Sequence, residues 1–286
     1  GKQAVTDENG HITSCGDTVL GADDFAGVSA ILEGVASLLE SGATHPTLEL
    51  LFTTGEEHFC VGAKAFDAER LQSKTAYVMD LSGPVGDCAV AAPTLITFSA
   101  EVVGKAAHAG FAPEDGVHAI QVAAAAVANL PSGRWGDVTV NVGTISGGRA
   151  TNIVPDSCTV TGEIRALCHQ DALDRLNEIH SEFVEQAQAV DAKLNFNHTI
   201  HITGYRVDTD APVAQRFRRA CAAVGVAPRF TDTYGGSDCN ILSAHGIQGL
   251  VVATAMNNCH AVNEYTTVEE LCKAGRLAQA LMEKQD

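Results

Sequence analysis

The sequence predicts an α/β fold interrupted by a smaller inserted α+β layer. Three observations carry this. The first third alternates helical spacing with short apolar strand runs. Beyond Pro93 the pattern switches to long alternating strands, over about one hundred residues, a usual domain size. After Gly204 the α/β style returns.

Val28, Ile31, Leu32, Val35, Leu38 and Leu39 recur at helical spacing, and Ser41-Gly42 closes that helix. Pro46 leads into Thr47–Thr54, an apolar run rich enough for a buried strand. Gly55-Glu56-Glu57 follows, then a helix holding Ala63, Lys64 and Phe66. Thr75–Asp80 predicts a short apolar strand that ends in a carboxylate. Such alternation predicts parallel strands with covering helices. In the insert, Thr94–Gly104 alternates like a half-exposed antiparallel strand, and an alanine-rich helix is expected near Val117–Leu130. Strands over Val138–Ile145 and Ser157–Arg165 enclose Gly147-Gly148 and Pro155. A helix over Asp171–Val190 gathers Leu173, Leu176, Ile179, Phe183 and Ala187 on one side, and Lys193–Ile202 is the last strand. The order strand-helix-strand-strand-helix-strand is that of a ferredoxin-like layer. A helix over Ala211–Val224, a buried strand over Gly249–Ala255 and a final helix over Val268–Lys284 complete the chain. The domains are therefore residues 1–93 and 204–286, two parts of one α/β domain, and the insert 94–203.

The 286 residues carry 18 Lys+Arg against 35 Asp+Glu, a net charge of −17, and 45% are hydrophobic. That hydrophobic share excludes a mostly disordered chain. The negative charge argues against nucleic acid or an anionic membrane as partner, since both are polyanions. The nine cysteines are odd in number and none pair as C-x-x-C, so neither a disulfide framework nor a zinc knuckle is expected. Scattered thiols fit a reducing cytoplasm. No apolar run reaches membrane-spanning length and no signal peptide opens the chain. The opening Gly1-Lys2-Gln3-Ala4-Val5 lacks Met and runs into Asp7-Glu8-Asn9-Gly10; the natural N-terminus is expected upstream.

In open α/β sheets, ligands gather at the carboxyl ends of strands. Asp23-Asp24 precedes the first helix, Glu56-Glu57 follows a strand, Asp80 closes the next, and His260 lies beyond the strand ending near Ala255. Carboxylates and an imidazole drawn from separate strands suit zinc, or manganese or cobalt. A paired Glu-Glu offers one ligand and one free general base. Each piece also has a plainer reading. Asp-Asp caps helices, Glu-Glu is commonly solvated surface, Asp80 can cap a turn, and His260 is one histidine among eleven. Spacing leaves both readings open.

The wording of the motifs goes further. Gly21-Ala22-Asp23-Asp24-Phe25-Ala26-Gly27 resembles the Gly-Ala-Asp-Asp-Lys-Ala-Gly motif of the peptidase T-like dizinc metallopeptidases. Carboxypeptidase G, succinyl-diaminopimelate desuccinylase and acetylornithine deacetylase are relatives. Phe52-Thr53-Thr54-Gly55-Glu56-Glu57 with Gly62-Ala63-Lys64 resembles the Glu-Glu motif. Gly104-Lys105-Ala106-Ala107-His108-Ala109-Gly110 and Gly147–Pro155 with Glu163-Ile164-Arg165 resemble the lid motifs, and Cys259-His260-Ala261-Val262-Asn263-Glu264-Tyr265 the last one. The resemblance runs in order along nearly the whole chain.

It implies a zinc-peptidase-like catalytic domain, incomplete at its N-terminus, with an inserted ferredoxin-like lid domain. Asp23 matches the carboxylate bridging two zinc ions, with a cis Asp23–Asp24 peptide. Glu56 matches the general base. Glu57 and His260 match ligands of one zinc and Asp80 a ligand of the other. His108, Asn152 and Arg165 match groups that bind the substrate carboxylate or polarise the scissile carbonyl. The implied function is release of the N-terminal residue from short peptides in the cytoplasm, with a homodimer through the lid. The alternatives are the same chemistry on N-acyl amino acids or other dipeptides, and a non-catalytic metal-binding or dimerisation protein. The sequence also departs from the pattern. No His-x-Asp, the source of the second zinc's histidine, precedes Asp23. Phe25 stands where Lys is usual, Ser82 where glycine often stands, and His58-Phe59-Cys60 replaces the commoner Ile-Gly sequence. A second site holding its ion weakly, with impaired activity, is therefore expected.

Overall fold

The computed structural model describes residues 3–284. Its described residues divide into two compact units: one runs through Ala92 and resumes at Arg206, and the other spans Pro93–Tyr205.

The first unit opens with a hairpin, β1 (Ala4–Thr6) and β2 (His11–Ser14), paired antiparallel with Val5 opposite Thr13. The Asp7 carboxylate closes its turn by accepting from the backbone N–H groups of Asn9 and His11. Helix α1 (Ala22–Ser41) follows and ends at Gly42 in the left-handed conformation, a common stop. After the three-residue turn Glu56–His58 come the short helix α2 (Val61–Ala65) and strands β3 (Thr75–Ser82) and β4 (Asp87–Ala92). The strand expected over Thr47–Thr54 is not formed. The segment joins no ladder, and Leu50 and Phe52 are exposed. An apolar run signals capacity for burial, whereas a strand also needs a neighbour for its backbone groups.

The second unit is β5 (Thr94–Val103), α3 (Ala119–Asn129), β6 (Gly133–Trp135), β7 (Val138–Gly147), β8 (Ser157–Ala166), α4 (His169–Gln188) and β9 (Lys193–Ile202). Its sheet has the order β6-β7-β8-β5-β9 with every pairing antiparallel. The ferredoxin-like layer is thus present, with β6 as a short addition. On β5, Ile96, Phe98, Ala100 and Val102 enter the core while the residues between them stay partly exposed. Small Ala119, Ala123 and Ala126 bring α3 close, and Leu176, Ile179 and Phe183 of α4 fill the same core.

The chain then returns through β10 (Tyr205–Arg206), α5 (Pro212–Val224), β11 (Arg229–Asp232), α6 (Asp238–Ala244), β12 (Gln248–Met256), β13 (Tyr265–Thr267) and α7 (Val268–Met282). β12 lies between β3, parallel, and β4, antiparallel, and β11 runs parallel beside β4. The sheet is mixed, where wholly parallel strands were expected. β4 is buried throughout and β12 beyond its first residue, because neighbouring strands and α1, α5 and α7 cover β12. β13 completes a three-stranded sheet with β2 and β1; these strands of three or four residues carry no periodic run and went unforeseen.

One contact sets the site. A Cβ at Gly27 would lie 1.9 Å from the Met79 carbonyl oxygen, so only glycine lets α1 meet β3 one residue before Asp80.

Candidate metal centre

Three elements deliver the centre. Asp23 stands in the first turn of α1, Glu57 in the turn after Gly55, and His260 in the loop between β12 and β13. Gly55 (φ 70°) makes that turn possible, and Gly62 N–H donates to the Thr54 carbonyl (3.0 Å) to hold it. The Asp23–Asp24 peptide is cis. His260 Nε2 lies 2.8 Å from Asp23 Oδ2 and 2.7 Å from Glu57 Oε1, and one ligand atom from each residue falls within 4.8 Å of the others. Burial pulls the His260 imidazole down, but the charges of Glu57 and Asp23 outweigh it and raise its pKa.

Three further carboxylates crowd this point. Burial pushes Asp24 up to about 8, Glu56 to about 7 and Asp80 to about 9. The charges that raise them further are other carboxylates: Asp23 and Glu56 around Asp24, Glu57 and Asp238 around Glu56, and Asp24 and Glu56 around Asp80. Like charges in a half-buried site are favourable only with cations among them. The mixed oxygen and nitrogen donors of Asp23, Glu57 and His260 suit an ion of the zinc class. The residues present therefore fit a metal.

Several supporting groups escaped the sequence reading. Glu264, only 1% exposed, accepts from the backbone N–H of Gly21 (2.6 Å) and of Asp23 (2.9 Å) and so braces the loop that carries Asp23. Asp238 opens α6, accepts from the Thr53 hydroxyl and adds its charge to Glu56 and Asp80. Its signal was present: Gly235-Gly236-Ser237-Asp238 ends in a capping box between Ser237 and Asn240. The buried Cys60 thiol donates to Glu56 Oε1 (3.8 Å), and burial raises its pKa, which keeps it a donor.

The remaining expected residues lie in the second unit. The loops carrying His108 and Asn152 run side by side, with Ala109 N–H donating to the Asn152 carbonyl (3.0 Å) and Val154 N–H to that of Ala107 (2.9 Å). His108 Nδ1 accepts from Gly110 and Phe111 N–H, and its ring lies 4.3 Å from that of Phe111. Arg165, on β8, grips Glu163 through Nε (2.7 Å) and Nη2 (3.2 Å).

Residues 90–191 match the model of the peptidase dimerisation domain of the M20 peptidases, and residues 6–92 that of peptidase family M28. A Bacillus subtilis (strain 168) protein known as uncharacterized protein YqjE is 34% identical, over 97% of this chain and 75% of its own length. The crystal structure of aminopeptidase PepT from Bacillus cereus ATCC 10987 superposes with a TM-score of 0.93 at 36% identity, covering 99% of this chain and 76% of that one. A tripeptidase from Staphylococcus aureus subsp. aureus Mu50 gives 0.95 at 29% identity, covering 98% and 75%. The chain belongs to the peptidase T-like group of the M20 peptidases. It is a peptidase of aminopeptidase type. Among the described residues no helix is long and apolar enough to cross a membrane.

Proposed function

We propose that this protein is a zinc-dependent aminopeptidase that removes the N-terminal residue of short peptides, tripeptides foremost. The observation that carries the reading is the convergence of Asp23, Glu57 and His260 beside the raised carboxyl of Glu56. Asp23, Glu57 and His260 would hold one ion, and Asp23 and Asp80 offer carboxylates to a second. Manganese or cobalt would fit the same donors. When bound, the metal supplies Lewis acidity that makes a water more acidic and the peptide carbonyl more electrophilic.

The chain's own residues supply the rest. Glu56, raised to about 7, would take the proton of the attacking water near neutrality and return it to the leaving amine. Cys60 and Glu264 hold Glu56 and the Asp23 loop in place. His108 and Asn152 present polar groups from adjoining loops, for the carbonyl oxygen as it gains charge. Arg165 offers its fork to the peptide's carboxyl end once Glu163 yields it. The dimerisation-domain match supports a homodimer through the second unit, and the free thiols support a cytoplasmic setting.

Zinc-loaded protein should release leucine from Leu-Gly-Gly and leave N-acetyl-Leu-Gly-Gly intact. Cleavage of N-acyl amino acids in preference to tripeptides would overturn this reading in favour of another amide substrate, and binding of metal without any turnover in favour of a non-catalytic role.

A further inference from the structure

The sheet of the second unit carries a concavity on its polar face. On β5, Ile96, Phe98 and Ala100 turn into the core, so Thr97 and Ser99 turn to the other face. Register lines their neighbours up across four strands. Thr199 of β9 stands opposite Thr97, Thr97 opposite Glu163 of β8, and Glu163 opposite Asn141 of β7. One row further along, Asn197 stands opposite Ser99 and Ser99 opposite Thr161. All of these line a concavity of about 350 Å³, the size of a small-ligand site. The register of β7 slips between Val142 and Thr144, which leaves Gly143 as an extra residue in its wall; such a bulge bends its strand.

The lining is chemically uneven. Hydroxyls and amides dominate, and they serve both the N–H and the C=O groups of a peptide. Among the described residues that line it, Glu163 is the one carboxylate, and neither lysine nor arginine occurs. Arg165 stands two residues further along β8 and holds Glu163 through Nε (2.7 Å) and Nη2 (3.2 Å). The two side chains are only 30% and 35% exposed. A carboxylate that takes the Arg165 fork takes it from Glu163, and a half-buried charge left without its partner is costly. A cation arriving on the same ligand restores the balance.

We infer that this concavity receives the last residue of the peptide, and that the enzyme favours peptides ending in a basic residue, whose side-chain cation replaces Arg165 at Glu163. The inference rests on the aminopeptidase reading above, in which Arg165 takes the peptide's carboxyl end. The carboxylate and the cation of a terminal lysine hang from one α-carbon. Glu163 and Arg165 are two residues apart on one strand, a span of at most about 7 Å, so one residue can meet both. The peptide's two charges then exchange partners with the ion pair already present, and none is left alone. An acidic last residue would instead bring a second carboxylate beside Glu163. A large apolar one would cover hydroxyls and amides without satisfying them.

The test compares Leu-Gly-Lys, Leu-Gly-Leu and Leu-Gly-Glu on zinc-loaded protein, and the binding of Gly-Lys and Gly-Glu to metal-free protein by calorimetry. Lysine should be favoured over glutamate by about fivefold or more in kcat/KM, carried mainly by KM, with the same order for the dipeptides. E163Q should erase the lysine preference. N141L, which fills the concavity beside Glu163 from an exposed position, should weaken it, and the melting temperature should hold in both. Equal treatment of the three last residues by the wild type, or an unchanged lysine preference in both variants, would overturn the inference. So would loss of a dimer in N141L, read by light scattering, with the preference intact, since the face would then belong to a second copy. If no tripeptide is cleaved, yet metal-free protein binds Gly-Lys above Gly-Glu and E163Q removes the difference, the concavity keeps its role and the aminopeptidase reading falls. If tripeptides are cleaved equally well whatever their last residue, that reading stands and the inference falls.

Discussion

A buried carboxylate and a cluster of half-buried ones in the first unit are handled in opposite ways. Asp87, at the start of β4, is gripped by the Arg229 guanidinium through two nitrogens, with Nε 2.8 Å from Oδ1. Asp24, Glu56 and Asp80 face carboxylates instead, and are pushed to about 8, 7 and 9. The first arrangement is complete within the chain and ties β11 to β4. In the second, the ionised carboxylates are favourable only with something positive among them. The contrast separates a carboxylate used for architecture from carboxylates held ready for cations, and it can be attacked from either side.

The largest effect is expected at the base. Glu56→Gln keeps the volume and loses the basicity, and should lower kcat by about two to four orders of magnitude while bound zinc stays unchanged by metal analysis. Retained turnover would strip Glu56 of its role. Next is the brace: Glu264→Gln weakens the acceptors for Gly21 and Asp23 N–H and should weaken zinc binding by about ten- to a hundredfold, read by competition with a chromogenic chelator.

The third prediction concerns pH. In the metal-free protein the folded state holds protons on Asp24, Glu56 and Asp80 that the unfolded chain has already released near pH 4. Stability contributed by these groups is therefore full below about pH 4 and lost as pH rises through about 7 to 9. In chelator the melting temperature should fall between pH 6 and pH 9, and zinc should restore more of it at pH 9 than at pH 6. A metal-free melting temperature that does not fall over this range would contradict the picture of unbalanced charge. The smallest effect is expected at the architectural pair, where Arg229→Met should lower the melting temperature by about a few degrees and leave zinc binding untouched.

Legibility in the sequence followed the same division. The second unit is built from local periodicity, so Lys193–Ile202 emerges from the sequence with the bounds found in the structure, and Thr94, Ser157 and Val138 mark true strand starts. Asp23, Glu57 and His260 were found from motif wording and strand ends, and they do converge. Asp238 was missed although Gly235-Gly236-Ser237-Asp238 marks a helix start, because its importance comes from Thr53, nearly two hundred positions away (|i−j| = 185). Thr47–Thr54 misled because hydropathy carries no information about whether a strand neighbour exists.

The Glu264 brace has a consequence for how the molecule comes to be. It joins Gly21 and Asp23 to a residue 243 and 241 positions further on. Closing so long a loop is slow compared with forming the local hairpins and helices in between. During synthesis the α1 turn must wait for Glu264 and His260 to leave the ribosome, so a nascent chain carries Asp23 and Glu57 but not the imidazole or the brace. The centre therefore assembles only after the chain has been made through Glu264, later than the local hairpins and helices that precede it.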